Sequence, residues 1–86
     1  MNYKATLSFN ELKETRKSLK MRQQDVADIL GFCTTDRISH WEKGQAMPSL
    51  INLSRLCAIF KVCPHDLYPE LFREAIAEIQ EKRKLN

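Results

Sequence analysis

Apolar residues recur at intervals of three and four along almost the whole chain, whereas a strict alternation of apolar and polar residues is absent. A spacing of three and four places the apolar side chains on one face of an α-helix, whereas a half-buried strand would show the alternation. Two glycines, Gly31 and Gly44, and three prolines interrupt a chain that is otherwise rich in helix-forming residues. The pattern therefore predicts an all-α protein.

Two helices are predicted before Gly31. Ser8 and Glu11 have the spacing of a capping box, so we expect the first helix to begin near Ser8. A second, short helix is expected over residues 23–30, and Gly31 suits the left-handed conformation that ends many helices. The apolar side chains expected to face the core from these two helices are Phe9, Leu12, Leu19, Val26, Ala27 and Leu30.

A third helix is expected over residues 35–43, with Thr34 or Thr35 as its N-cap and Gly44 at its end. Pro48 and Ser49 open a fourth helix. Its apolar positions at helical spacing are Leu50, Leu53, Leu56, Cys57 and Phe60.

Prolines divide the remaining chain into two further helices. Pro64 is tolerated in a first turn, so residues 65–68 are expected to form a short fifth helix. Pro69 interrupts it, and a last helix is expected over residues 70–84, ending in three consecutive basic residues. The apolar positions of that helix are Phe72, Ala75, Ile76 and Ile79.

The third predicted helix has few apolar side chains for its length. With steps of about 100° per residue, Trp41 falls near Ile38, and both are expected to face inward. The outward face combines a carboxylate, hydroxyl groups, an imidazole, an ammonium and, at its edge, a guanidinium, the mixture of donors and acceptors that base edges in the major groove require. The residues of this face are Asp36, Arg37, Ser39, His40 and Lys43.

Three segments of the chain, QQDVADILG, ISHWEKG and MPSLINLSRLCAIF, resemble in order and spacing the lambda-repressor-like (Cro and xenobiotic-response-element type) helix-turn-helix family. The resemblance spans residues 9–68. It implies a compact five-helix DNA-binding domain over residues 8–68, followed by an additional C-terminal helical extension over residues 69–86. Double-stranded DNA is the implied partner.

The resemblance also implies roles for individual residues. The positions that match the base-facing residues of the family's recognition helix are Thr35, Asp36, Arg37 and His40. The candidate phosphate contacts are Arg22, Gln23, Thr34 and Lys43. Arg37 is the first choice for guanine because its planar fork can bond two acceptors at once. The alternatives for Arg37 are a phosphate contact or a local pairing with Asp36.

Glu42 matches a family position that pairs with a basic residue on the first helix, here Arg16. The implied role of this ion pair is structural, and its charged groups are expected within about 4 Å of each other.

The sequence departs from the family at several positions. Arg22 stands where the family favours a capping Ser or Thr, Trp41 replaces a smaller aliphatic residue, and Cys63 takes the usual Ser cap position of the fifth helix. A further departure is the length of the turn. The segment from Gly31 to Glu42 is one residue longer than usual, so the base-facing register is open by one position.

The length, charge and motifs of the chain argue against an enzyme. A chain of 86 residues forms one domain with little room for an enclosed active site, and its net charge of +3 is compatible with phosphate but does not demand it. The sequence lacks the catalytic and phosphate-cradling motifs that carry chemistry, so we expect neither an enzyme nor a cofactor.

A zinc site is not expected either. It would need a fourth ligand and a tighter pair spacing than the sequence offers at Cys57, Cys63 and His65. His65 and Asp66 are expected to be a surface pair rather than a catalytic dyad.

The three cysteines, Cys33, Cys57 and Cys63, are odd in number and follow no paired spacing. They favour reduced thiols and a cytoplasmic protein over a disulfide framework. No apolar run approaches the roughly 20 residues that span a bilayer, so no membrane partner is expected.

The last helix is the candidate for contact with a second copy of the chain. A single recognition helix contacts only a few base pairs, so proteins of this type commonly bind two half-sites as a dimer. The stripe from Phe72 to Ile79 is expected either to form a homodimer contact or to close the domain's own core. A transcriptional regulator follows from the resemblance, with repression favoured over activation. The alternative is a protein-interaction adaptor or antitoxin-like partner on the same scaffold.

Overall fold

A computed structural model describes residues 3–84 of the chain, with side chains from residue 6 onward. Within this range all regular structure is helical, which confirms the predicted all-α class. A 3-10 helix precedes six α-helices. Their bounds are Tyr3–Ser8 for the 3-10 helix, Leu12–Ser18 (α1), Gln23–Leu30 (α2), Asp36–Glu42 (α3), Leu50–Phe60 (α4), Pro64–Leu67 (α5) and Pro69–Lys84 (α6).

The core is formed by apolar residues from α1 to α5 and from the junction before α6. Leu12 of α1 lies against the inward faces of α2, α3 and α4, and α5 closes one end. The buried apolar residues are Leu12, Val26, Ala27, Leu30, Ile38, Trp41, Leu53, Leu56, Phe60, Leu67 and Tyr68. Burial raises the pKa of the Tyr68 phenol above its usual value.

The start of the first helix differs from the prediction. Residues 3–8 form a 3-10 helix and α1 begins only at Leu12, so the capping box of Ser8 and Glu11 is absent. The backbone N–H of Glu11 instead donates to the carbonyl of Leu67, 2.8 Å away, which ties this segment to α5. Phe9 consequently lies outside the core, with 64% of its surface exposed.

The central helices follow the predicted bounds closely. The predicted range of α2 is confirmed, and Gly31 follows it in the left-handed conformation with φ of 81°. Ser49 caps α4 by accepting the backbone N–H of Asn52. Two further core predictions, besides Phe9, are wrong. Leu50 is 81% exposed at the start of α4, and Leu19 is 49% exposed beyond the end of α1.

The last helix contains no buried residue. One side of α6, including Leu71 and Ala75, is half-buried near the 3-10 helix. Phe72, Ile76 and Ile79 lie outside this packed side and stay between 36% and 53% exposed. The radius of gyration of 14.3 Å exceeds the roughly 12 Å expected for a compact domain of this length, and the longest extent of the molecule is 48 Å. The predicted stripe therefore does not close the core of a single chain.

Candidate nucleic-acid interface

Helix α3 is held by two apolar side chains on one face and open to solvent on the other. Ile38 and Trp41 are 3% and 5% exposed, as the helical periodicity predicts. The opposite face combines one carboxylate with three basic or imidazole side chains, and α6 does not cover it. The exposed residues of α3 and its C-cap are Asp36, Arg37, His40 and Lys43.

The end of α3 is tied to α1 by the ion pair that the family resemblance implies. Arg16 donates from Nε to Glu42 Oε2 at 2.7 Å and from Nη2 to Oε1 at 3.2 Å. Both side chains are at least nine-tenths buried. The remaining guanidinium nitrogen, Nη1, donates to the carbonyl of Met21 at 2.9 Å. A buried pair needs this kind of complete hydrogen bonding, which fixes the position of α3 relative to α1.

Gln23 belongs to the same cluster. It is the first residue of α2, and its side-chain Nε2 donates to Glu42 Oε1 at 2.9 Å. One of its two amide hydrogens is therefore used within the protein, which leaves the other for a phosphate. This second contact of Glu42 joins the start of α2 to the end of α3.

Arg22 and Thr34 flank this face from the two segments before α2 and α3. The Arg22 guanidinium is exposed but bonds the Asp25 carboxylate from Nε and Nη2, at 3.3 and 2.9 Å. The side-chain hydrogen bond between them lowers the pKa of Asp25 and raises that of Arg22. Thr34 Oγ1 lies 3.4 Å from the backbone nitrogen of Asp36, a long and weak hydrogen bond at the start of α3. Thr35, the N-cap residue, makes no side-chain cap.

Arg37 has a different environment from Arg22. Its Cζ lies over the ring of Phe32 at 4.7 Å from the centroid. Within the described chain its guanidinium forms no hydrogen bond or ion pair, so the local pairing with Asp36 is absent. Phe32 in turn meets Trp41 edge to face, with centroids 6.0 Å apart. Phe32 is not among the site residues predicted from the sequence, although an aromatic residue in a polar turn was the available signal.

Asn10 is a second residue of the site that was not predicted from the sequence. Its Nδ2 donates to the carbonyl oxygens of Leu7 and Trp41 at 2.7 and 3.1 Å, while its Oδ1 accepts the backbone N–H of Leu12 at 3.0 Å. One side chain thus accepts the first backbone N–H of α1 and binds the end of α3. Asn10 lies one residue before the N-cap Glu11. Asparagine often bonds nearby backbone groups just before a helix, so its type was the signal that was available.

Gly44 closes the C-terminal side of α3. It has φ of 74°, and a Cβ there would lie 2.4 Å from the Cα and nitrogen of Ser8. The predicted helix end at Gly44 is therefore also the place where the chain after α3 meets the backbone of the 3-10 helix. Helix α3 is thus fixed at its end by Asn10, Arg16 and Gly44, while its exposed face is left unobstructed.

A family model described as helix-turn-helix matches residues 12–67, about two thirds of the chain. The chain belongs to the lambda-repressor-like helix-turn-helix family. The match covers α1 to α5, and α6 follows it. No curated protein matches the chain, and no solved structure does.

The family is one of DNA-binding regulators of transcription, typically without enzymatic activity. This helix-turn-helix protein is accordingly a DNA-binding protein of a family that regulates transcription. In the described residues no helix is long and apolar enough to cross a membrane.

The remaining candidate chemistry lies away from α3. Residues 3–84 contain no group of three or more His, Cys, Asp or Glu side chains able to hold a metal ion. Cys57 is half-buried, and burial raises the pKa of its thiol. His65 stacks on Phe72 with ring centroids 5.4 Å apart, while the Asp66 carboxylate accepts the backbone N–H of Cys63. The two neighbouring side chains thus have separate partners and do not form a dyad.

Proposed function

We propose that the protein binds double-stranded DNA sequence-specifically by placing α3 in the major groove, and that it acts as a transcriptional repressor. The observation that carries this proposal is the arrangement of α3, anchored by Ile38 and Trp41 with a donor-rich face open to solvent. Repression is favoured over activation because a protein that occupies an operator blocks polymerase without further contacts. We place this activity in the cytoplasm, where the three free cysteines stay reduced.

Direct base contacts are assigned to the N-terminal half and middle of α3. The Arg37 guanidinium has no hydrogen-bond acceptor among the residues that the structure describes, and we assign it to guanine, whose O6 and N7 accept two parallel hydrogen bonds. His40 lies one turn further on the same exposed side. Asp36 and Thr35 precede Arg37 at the start of α3 and complete the group of residues that we assign to base contacts.

Phosphate contacts are assigned to residues at the edges of this face. Lys43 is exposed at the end of α3, and Arg22 is exposed before α2. Gln23 has one amide hydrogen left beside the N-terminus of α2, where the helix dipole favours an anion. Thr34 supplies a hydroxyl group in the turn. These contacts position the protein on DNA but do not distinguish sequences.

The proposed functional unit is a homodimer. In this proposal residues 8–68 form the reading domain, and residues 69–86 form an extension that meets a second copy. Support comes from the exposed apolar side chains of Phe72, Ile76 and Ile79, which the domain's own core leaves uncovered. Ala75 is half-buried and lies at the edge of this contact.

Selection of bound sequences from a random duplex pool tests these assignments. The wild-type protein is expected to recover two inverted half-sites about 10 base pairs apart. Arg37→Ala and His40→Ala should each lose preference at one position of every half-site, whereas Ile76→Glu should recover single half-sites. Lys43→Gln is the matched control, since it should weaken binding without changing the preferred sequence. Identical preferences for wild type, Arg37→Ala and His40→Ala would contradict base reading by α3.

A further inference from the structure

We infer that Phe32 is a positioning residue, whose ring holds the guanidinium of Arg37 in place for base recognition. This inference rests on the proposed function, because it concerns how the proposed guanine reader is oriented. It adds a specificity-determining role to a turn residue that does not itself belong to the reading helix.

The Phe32 ring is fixed on the side that faces the protein. It is half-buried against the core and meets the buried Trp41 ring edge to face, with an interplanar angle of 69°. Its backbone N–H donates to the carbonyl of Ala27 at 2.9 Å, directly after the left-handed Gly31. The turn is also secured by Arg55, whose Nη2 donates to the carbonyl of Leu30 at 2.7 Å. Phe32 is therefore a rigid platform at the start of the turn.

Arg37 meets this platform from the second position of α3. Side chains of a helix tilt toward its N-terminus, and here the turn with Phe32 lies at that end. The guanidinium carbon lies 4.7 Å from the ring centroid, within the range of a cation–π contact. Arg37 nevertheless stays exposed at the side of an open depression that Gly31, Cys33 and Thr34 also line.

The contact is compatible with base reading because a guanidinium has five N–H donors that point in different directions, and one ring cannot cover all of them. The ring attracts the guanidinium as a cation, whereas the N–H donors lie in the guanidinium plane and point outward from its edge. These donors have no acceptor in the described part of the chain. A flexible arginine loses rotamer freedom when it binds a base, and the contact with Phe32 removes part of that freedom beforehand.

Two substitutions at Phe32 distinguish the effect of the aromatic face from the effect of an apolar side chain of similar size. Phe32→Leu keeps an apolar side chain but removes the aromatic face, and Phe32→Tyr keeps the face. We expect Phe32→Leu to weaken binding to the duplex recovered by the wild-type protein about two- to fivefold, the equivalent of an exposed cation–π contact. Phe32→Tyr should bind as the wild type does. In an Arg37→Ala background, Phe32→Leu should have no further effect.

The double-mutant cycle distinguishes positioning from a general structural role. If Phe32 only supported the fold, Phe32→Leu would weaken binding equally with and without Arg37, and that result would overturn the inference. A second readout needs no DNA. Proton resonances at the end of the Arg37 side chain should be shifted upfield by the ring in the free protein, and Phe32→Leu should remove the shift.

Failure of the proposed function gives a different pattern. If Arg37→Ala leaves both affinity and base preference unchanged, the assignment of Arg37 to guanine is wrong and the inference falls with it. If Arg37→Ala weakens binding but Phe32→Leu does not, or the proton shift is absent, only the role of Phe32 is refuted. Melting temperatures of all variants, measured in parallel, identify any loss that comes from unfolding.

Discussion

Replacing Glu42 with alanine is expected to lower the free energy of unfolding by about 3–5 kcal/mol. The substitution leaves the Arg16 guanidinium buried without its counter-charge and removes the acceptor of the Gln23 amide. For a domain of this length the whole stability is of the order of 4–13 kcal/mol, so the loss is a large part of it. Urea denaturation monitored by circular dichroism measures the change.

The matched control is Glu70→Ala, which breaks an ion pair with Arg73 on the exposed surface of α6. Its expected cost is within about 1 kcal/mol, because exposed pairs contribute little. A second comparison is the double variant Arg16→Met with Glu42→Met, which removes both charges and should recover much of the stability. A loss below about 1 kcal/mol for Glu42→Ala would contradict the structural role of the pair.

Gly44→Ala is expected to lower the free energy of unfolding by about 2–4 kcal/mol, from left-handed strain and overpacking together. At Gly44 the added Cβ meets the Ser8 backbone, so the 3-10 helix or the chain after α3 must shift. Gly31 provides an internal control. Its φ is also positive, at 81°, but a Cβ there has no atom within 4 Å. Gly31→Ala should therefore cost only about 1–2 kcal/mol, the left-handed strain alone.

The difference between the two alanine variants isolates the contact between Gly44 and Ser8. Equilibrium denaturation of both proteins under one set of conditions measures it, and the slopes against urea should be unchanged. Equal losses for Gly31→Ala and Gly44→Ala would mean that the Ser8 backbone moves away from an added Cβ at no cost, and would contradict a tight packing of the 3-10 helix against the chain after α3.

The sequence predicted the elements whose signals are local and mutually consistent. The bounds of α2 follow from an apolar stripe that ends at a glycine able to adopt positive φ. The inward positions of Ile38 and Trp41 follow from helical periodicity alone. The partnership of Arg16 and Glu42 came from the family resemblance instead, since no local rule links residues 26 positions apart.

The N-terminal segment shows where local rules fail. Ser8 and Glu11 have the spacing of a capping box. The backbone N–H of Glu11 nevertheless donates to the carbonyl of Leu67, a residue at the other end of the domain's sequence, and the capping box does not form. Leu50 lies on the predicted face of α4 and is still exposed. Periodicity gives the direction of a side chain but not the extent of the neighbouring element that would cover it.

The details of the candidate site depend on contacts that composition does not reveal. Asn10 reaches the carbonyl of Trp41, 31 residues away, and Phe32 meets Arg37 across the turn. Each residue type was suggestive, but its partner became evident only in three dimensions. The face of α3 was thus predictable, whereas the way in which the protein holds that face was not.

The salt dependence of affinity is the sharpest measurement of whether α3 and its flanking residues bind DNA, as we claim. Wild-type protein is titrated with mixed-sequence duplex between about 50 and 200 mM salt. With Arg22 and Lys43 neutralising phosphates, log affinity against log salt should fall with a slope of about −2 for one copy or about −4 for a dimer. Lys43→Gln should reduce the slope by about one per copy. No binding at about 50 mM salt, or an affinity independent of salt, would contradict the claim and favour a protein-binding adaptor.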